Sequence, residues 1–177
     1  RRGIQLKAYR PDLEVLPIRG NLDTRLRKQD EGQYDALVVA AAGMRRLGWQ
    51  DRITQHIPTS ICLPAVGQGA LAIEARADDR EAAAITAPLD DLPTRVAVVA
   101  ERAFLEALGG GCRIPIAAFG QVKGDVLELE GVVAEESSAR IMRSRLTGDT
   151  RHPEELGRSL AQKMLDMGAA QFLRPRA

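Results

Sequence analysis

One thiol and a set of arginines are the residues of this chain whose types and setting could do chemistry. Cys112 lies in Leu108-Gly109-Gly110-Gly111-Cys112-Arg113-Ile114-Pro115-Ile116, where a helical pattern ends at three glycines and Pro115 keeps it from resuming. Glycine reaches backbone angles that other residues resist, so this is a tight turn presenting a single thiol from a loop. Such a thiol can be a nucleophile, a metal ligand or a covalent anchor. The plainer alternative is a small apolar residue packed beside a helix cap. In Arg19-Gly20-Asn21-Leu22-Asp23-Thr24-Arg25 a short apolar run gives way to a turn, and Asn21 suits the cap of a helix. Free N–H groups and the positive end of the helix dipole gather at such a start, flanked here by Arg19 and Arg25. Arg45 and Arg46 follow a second apolar run, and Arg1 and Arg2 open the chain on a helical pattern. The guanidinium fork matches carboxylate and phosphate oxygens in pairs. Several forks at one end of one sheet imply a ligand with several carboxylates or phosphates. Each arginine taken alone is equally a solvated surface charge.

Other chemistries lack their residues. There is no Walker loop, GxGxxG, GxSxG or HExxH. His56 and His152 stand apart with polar neighbours, read as surface residues, and show no metal spacing. Cys62 and Cys112 form neither a CxxC pair nor a disulfide framework, and Cys62 reads as a packed core thiol. Asp90-Asp91 reads as the start of a helix rather than a carboxylate pair. Aromatics are 3% of the chain, so the core is Ala, Val, Leu and Ile, and platforms for stacking bases are not expected. The net charge of +1 argues against bulk nucleic-acid or membrane-surface binding. Residues 1–52 nevertheless hold 11 Lys/Arg against 7 Asp/Glu, and the remainder 14 against 17, so the basic excess lies beside the arginine set. No apolar run reaches membrane-spanning length and no signal pattern opens the chain, which reads as soluble and cytoplasmic. A start on Arg1-Arg2 without methionine reads as a fragment or a processed product.

Elements must hold these groups in place. The pattern predicts a helix ending near Tyr9, a strand over 14–18, a helix from Asn21 to about Asp30, and a buried parallel strand over 35–42. A short helix through Met44 stopped by Gly48 follows. That alternation is α/β with a parallel sheet. Residues 57–69, rich in Pro and Gly, read as a hinge, followed by a strand over 71–75 and a helix over 79–87. From Pro93 the apolar positions 96, 99, 100, 103, 104 and 107 recur at helical spacing. Three strands follow over 117–122, 126–133 and 139–147, with turns at Gly124-Asp125 and 135–138. Leu127 and Leu129 alternate with Glu128 and Glu130, the sign of a sheet wet on one face. A last helix starts at Pro153 with Leu156, Leu160, Ala161, Met164 and Leu165 on its apolar face. The second half is therefore an α+β domain.

Taken together these segments resemble a known family. Arg1-Arg2, then Ile18-Arg19-Gly20-Asn21-Leu22-Asp23-Thr24-Arg25-Leu26, Ala42-Gly43-Met44-Arg45-Arg46-Leu47-Gly48, Ala65-Val66-Gly67-Gln68-Gly69-Ala70, Ala100-Glu101-Arg102-Ala103-Phe104 and Gly110-Gly111-Cys112 resemble the porphobilinogen deaminases in order and spacing. The resemblance implies part of a periplasmic-binding-protein-like α/β domain, incomplete at its start, over 1–63. It implies a hinge and a segment returning to a first domain over 64–91, and an α+β cofactor-attachment domain over 92–177. It implies a transferase of heme and tetrapyrrole biosynthesis that joins four porphobilinogen units into hydroxymethylbilane with release of ammonia. A dipyrromethane cofactor would be held by a thioether to Cys112. Arg1, Arg2, Arg19, Arg25, Arg46 and Gln68 would bind the carboxylates of cofactor and growing pyrrole chain. Porphobilinogen and that chain are the implied partners, with no nucleic acid, no membrane, no metal and a monomeric parent enzyme. The family's catalytic aspartate matches no residue here, so these residues alone are expected to be inactive. Gly109 stands where many relatives carry an acidic residue. A non-catalytic anion-binding module related to periplasmic receptors is the alternative.

Overall fold

A computed structural model describes residues 1–110, 115–135 and 140–173. The Cys112 loop and the turn at 136–138 therefore lie outside the described residues. The elements are α1 (Arg2–Tyr9), α2 (Leu22–Asp30), α3 (Ala41–Arg46), α4 (Arg80–Thr86), α5 (Leu92–Ala107), β1 (Ile116–Lys123), β2 (Val126–Ala134), β3 (Ile141–Asp149), α6 (Pro153–Asp166) and α7 (Ala170–Leu173). Short 3-10 turns at Gln50–Arg52 and Ala87–Leu89 complete them.

The second half carries the core. Asp91 caps α5 by accepting from the Thr94 N–H at 3.0 Å, and Asp90 pairs with Arg95, so this pair starts a helix as its position implies. Gly109, at φ +67, ends the helix in the left-handed region. β1, β2 and β3 form an antiparallel meander in sequence order. α5 and α6 cover one face of it. Their backbones touch at Gly157, where a Cβ would stand 2.3 Å from the Ala100 carbonyl oxygen. The Phe104 ring lies on Gly131 of β2 in the same way. Phe104, Ile116, Leu127, Leu129, Leu160 and Met164 fill the space between and are fully buried. Burial of each such side chain contributes about 1.5–3 kcal/mol.

The α5 stripe differs from the expected one. Ala100, Ala103 and Phe104 are buried, but so are Ala97, Glu101 and Leu108, while Ala107 is exposed. Along the Ala97–Glu101 side the helix is pressed by β1 and by Gly67, which widens the covered face. The far face of the sheet is not simply wet. Glu130 pairs with Arg143 and Glu128 with Arg145, both at 2.7 Å, and beside them Leu63 packs on Ala117 and Val132. α7 was not expected from the pattern.

The first half corrects the expectation of strands. Residues 14–18, 35–40 and 71–75 carry no regular secondary structure, and no described strand precedes β1. Residues 41–42 belong to α3, which starts three residues before Met44. The composition of these runs suits strands, but a strand exists only where a second backbone takes its N–H and C=O groups. No described segment does so, and Val15, Leu16, Leu71 and Ile73 are left exposed. The helices of this half stand where the pattern places them.

Candidate functional site

A cavity of about 720 Å³ opens in the first half. Residues 35–42 and 51–57 form much of its wall, with Arg2 from α1, Asp30 from α2, Met44 from α3, and Cys62, Leu63 and Gln68 from the Pro- and Gly-rich connector, residues 57–69. The wall is mixed. Ala36, Val38 and Ile53 supply apolar surface, Arg2 a charged fork and Gln68 an amide. Arg52, also on the wall, is paired with Asp30. His56 borders the same space although its surroundings suggest a plain surface residue. Cys62 is half-buried there rather than packed in the core; burial pushes its thiol up, opposed by the nearby Arg2 and Arg143.

Of the expected site residues, the cavity joins Arg2 and Gln68; Arg1, Arg19, Arg25 and Arg46 do not line it. Arg1 occupies the cap position of α1, where its carbonyl accepts from the Gln5 N–H at 3.4 Å. Arg19 is exposed beside Gly20. Arg25 is half-buried and turns back, donating from Nε to the Gly20 carbonyl at 2.8 Å. Asn21 stands at the cap of α2 but accepts from the Thr24 hydroxyl instead of a backbone N–H. Asp23 in the first turn already answers the positive end of the helix dipole. Arg46 ends α3 beside Arg45, where two cations suit the negative end of a helix. Cys112 lies outside the described residues.

Three groups outside the expected set of site residues fix the connector between the halves. Gln5 of α1, fully buried, donates from Nε2 to the Leu63 carbonyl at 3.0 Å, and its Oε1 accepts from the Leu63 N–H at 2.9 Å. Arg143 of β3 donates to the Thr59 and Ser60 carbonyls while its Nε holds Glu130. Glu101 of α5 accepts from the N–H groups of Gly67 and Gly120. Both Gln5 and Glu101 are polar residues on helix faces that turn inward, a signal readable from spacing. Arg143 gives no such signal, because an arginine between strand residues is ordinary surface.

The family model described as porphobilinogen deaminase, dipyromethane cofactor binding domain, matches residues 1–84. The model described as porphobilinogen deaminase, C-terminal domain, matches residues 96–166. A porphobilinogen deaminase of Desulforudis audaxviator is 53% identical over 98% of this chain and 56% of its own length. Those of Syntrophus aciditrophicus and Roseiflexus sp. are 49% and 48% identical, again over 98% of this chain and 56% and 57% of their own lengths. The chain thus spans little more than half the length of the curated relatives it matches.

Proposed function

This chain belongs to the porphobilinogen deaminase family, and on that premise we propose that the protein carrying it is a transferase of tetrapyrrole biosynthesis. Its reaction joins four porphobilinogen units into hydroxymethylbilane, releasing ammonia at each addition. The observation that carries this is the match of two successive family models, in order, along residues 1–84 and 96–166.

The cavity fits the chemistry of such a ligand. A pyrrole is a flat apolar ring bearing acetate and propionate groups, and the wall offers apolar surface beside the Arg2 guanidinium and the Gln68 amide. Arg2 would take a carboxylate in paired hydrogen bonds. Gln68 would donate from its amide nitrogen, since its Oε1 already accepts from the Ala65 N–H at 3.2 Å. Arg1, Arg19, Arg25 and Arg46 complete the carboxylate-binding set of this proposal, and Cys112 is the thioether anchor. When bound, the dipyrromethane supplies the pyrrole from which the chain grows. We assign none of the catalytic proton transfers to residues 1–177. The domain division proposed is 1–63, 64–91 and 92–177. The exposed Leu71, Ile73, Ile85 and Leu89 support packing of the middle segment against a further part of the protein. A monomer in the cytoplasm, binding neither nucleic acid nor membrane, completes the proposal; among the described residues no helix is long and apolar enough to cross a membrane.

The test is turnover of porphobilinogen by the full-length protein, with ammonia and hydroxymethylbilane as products. Arg19→Ala and Arg25→Ala should each block cofactor assembly or chain elongation. Normal activity in both variants would overturn the carboxylate-clamp reading.

A further inference from the structure

Glu101 stands in the middle of α5, 5% exposed, and spans two other segments with one carboxylate. Oε2 accepts from the Gly67 N–H at 2.6 Å and Oε1 from the Gly120 N–H of β1 at 2.8 Å. Gly120 makes this reach possible: a Cβ there would stand 3.0 Å from Ala97, so strand and helix lie in close contact. Burying a carboxylate is costly, and an apolar side chain would fill the same place without that cost. What an apolar side chain lacks is direction. The carboxylate fixes the Gly67 amide of a turn whose backbone, at φ +67, favours glycine.

That turn carries Gln68. It is closed by the Gln68 N–H on the Ala65 carbonyl at 2.9 Å and the Ala70 N–H on the Gly67 carbonyl at 3.3 Å. Gln68 borders the large cavity with Arg2 and also a second cavity of about 310 Å³ that Glu101 and Gly120 help to line. Five residues before Gln68, Gln5 ties Leu63 to α1, the helix that bears Arg2. The connector is therefore held to α1 at one point and to α5 at the next.

We infer that Glu101 is a positioning residue: from the C-terminal domain it holds the 65–70 turn and so sets where Gln68 stands relative to Arg2. Its effect on turnover rests on the proposed role of Gln68 toward the pyrrole chain, whereas its hold on the turn does not.

The experiment compares Glu101→Gln, Gln68→Ala and the double variant of the full-length enzyme. Met164→Ala, a cavity in the core of the same domain, serves as the control for lost stability. Glu101→Gln sets an NH2 group against one of the two N–H donors. Glu101→Asp, which keeps the charge and shortens the reach, replaces it if the amide variant does not fold. Amide exchange at 66–70 should quicken about tenfold beyond the change seen in Met164→Ala. KM for porphobilinogen should rise about tenfold with a smaller change in kcat, and Glu101→Gln should add little on top of Gln68→Ala. Unchanged exchange at 66–70, or kinetic effects of the two variants that multiply in full, would overturn the inference. A Gln68→Ala enzyme with normal KM would overturn the site role of Gln68 alone, leaving the exchange result to decide the clamp.

Discussion

Residues 1–91 and 92–173 meet the same physical demand in opposite ways. Only Leu26, Met44 and Leu63 are buried apolar residues in the first stretch, whereas the second buries a continuous core that runs from Ala100 to Ala169. The difference is one of partners rather than composition. β1, β2 and β3 are joined by short turns, so each strand finds its neighbour within a few residues. The apolar runs at 14–18, 35–40 and 71–75 are at least as strand-like, but a parallel sheet draws its partners from far along the chain. Local topology is self-sufficient; distant topology needs the rest of the fold. Between the two regions the connector is held by Gln5, Arg143 and Glu101, each binding its backbone rather than its side chains.

The sharpest way to break the contrast is to truncate one large apolar side chain on each side. In residues 1–177 alone, Phe104→Ala should cost about 3–5 kcal/mol in urea denaturation, and Leu71→Ala, at a site exposed there, less than about 0.5 kcal/mol. Equal losses would dissolve the comparison. It is sharpened by hydrogen exchange in the full-length protein. There the amides of 35–40 and 71–75 should be protected like core strands, and in residues 1–177 alone they should exchange freely. Arg143→Ala should cost about 1.5–3 kcal/mol, the range for hydrogen bonds to a charged group, with exchange quickened at 59–63. An unchanged connector would show that Leu63 packing alone holds it.

The smallest effects are in titration. Asp12, exposed in the first half, has its carboxyl held down to about 2 by the hydrogen bond from Arg10. Its folded pKa lies below the unfolded value, so the ion pair's contribution is present above about pH 4 and lost as pH falls through about 2. Glu101 is shifted the other way, up, by burial, with the Gly67 and Gly120 N–H donors opposing. There the folded state binds the proton more tightly, so stability declines as pH rises from the ordinary glutamate range through the raised folded pKa. Carboxyl chemical shifts followed by NMR should separate the two in these directions, and coincident midpoints would contradict the burial of Glu101.

The fold was legible in the sequence wherever it is local. The periodicity of α5 and α6, the alternation in β2 and the glycine at 124 place the C-terminal elements within a residue or two of where they stand. The α5 face was misjudged on the Glu101 side, because what presses there is a turn thirty-odd residues upstream in sequence, invisible to any helical window. The strand-like runs of the first half were readable as composition but not as structure, since pairing is a property of two segments. Of the expected site residues, Arg2 and Gln68 stand on the cavity wall. What the groups holding the connector bind was not legible, because Gln5, Glu101 and Arg143 take backbone partners at Leu63, Gly67, Thr59 and Ser60, far away in sequence.

The central claim is that this chain comes from a deaminase whose cofactor is anchored on Cys112, and one measurement meets it directly. The protein purified from its own source is digested and the peptide containing Cys112 is weighed. The expected result is a dipyrromethane-sized, acid-labile adduct that reacts with Ehrlich reagent and is absent after Cys112→Ser. An unmodified Cys112 in protein that turns over porphobilinogen would contradict the anchor.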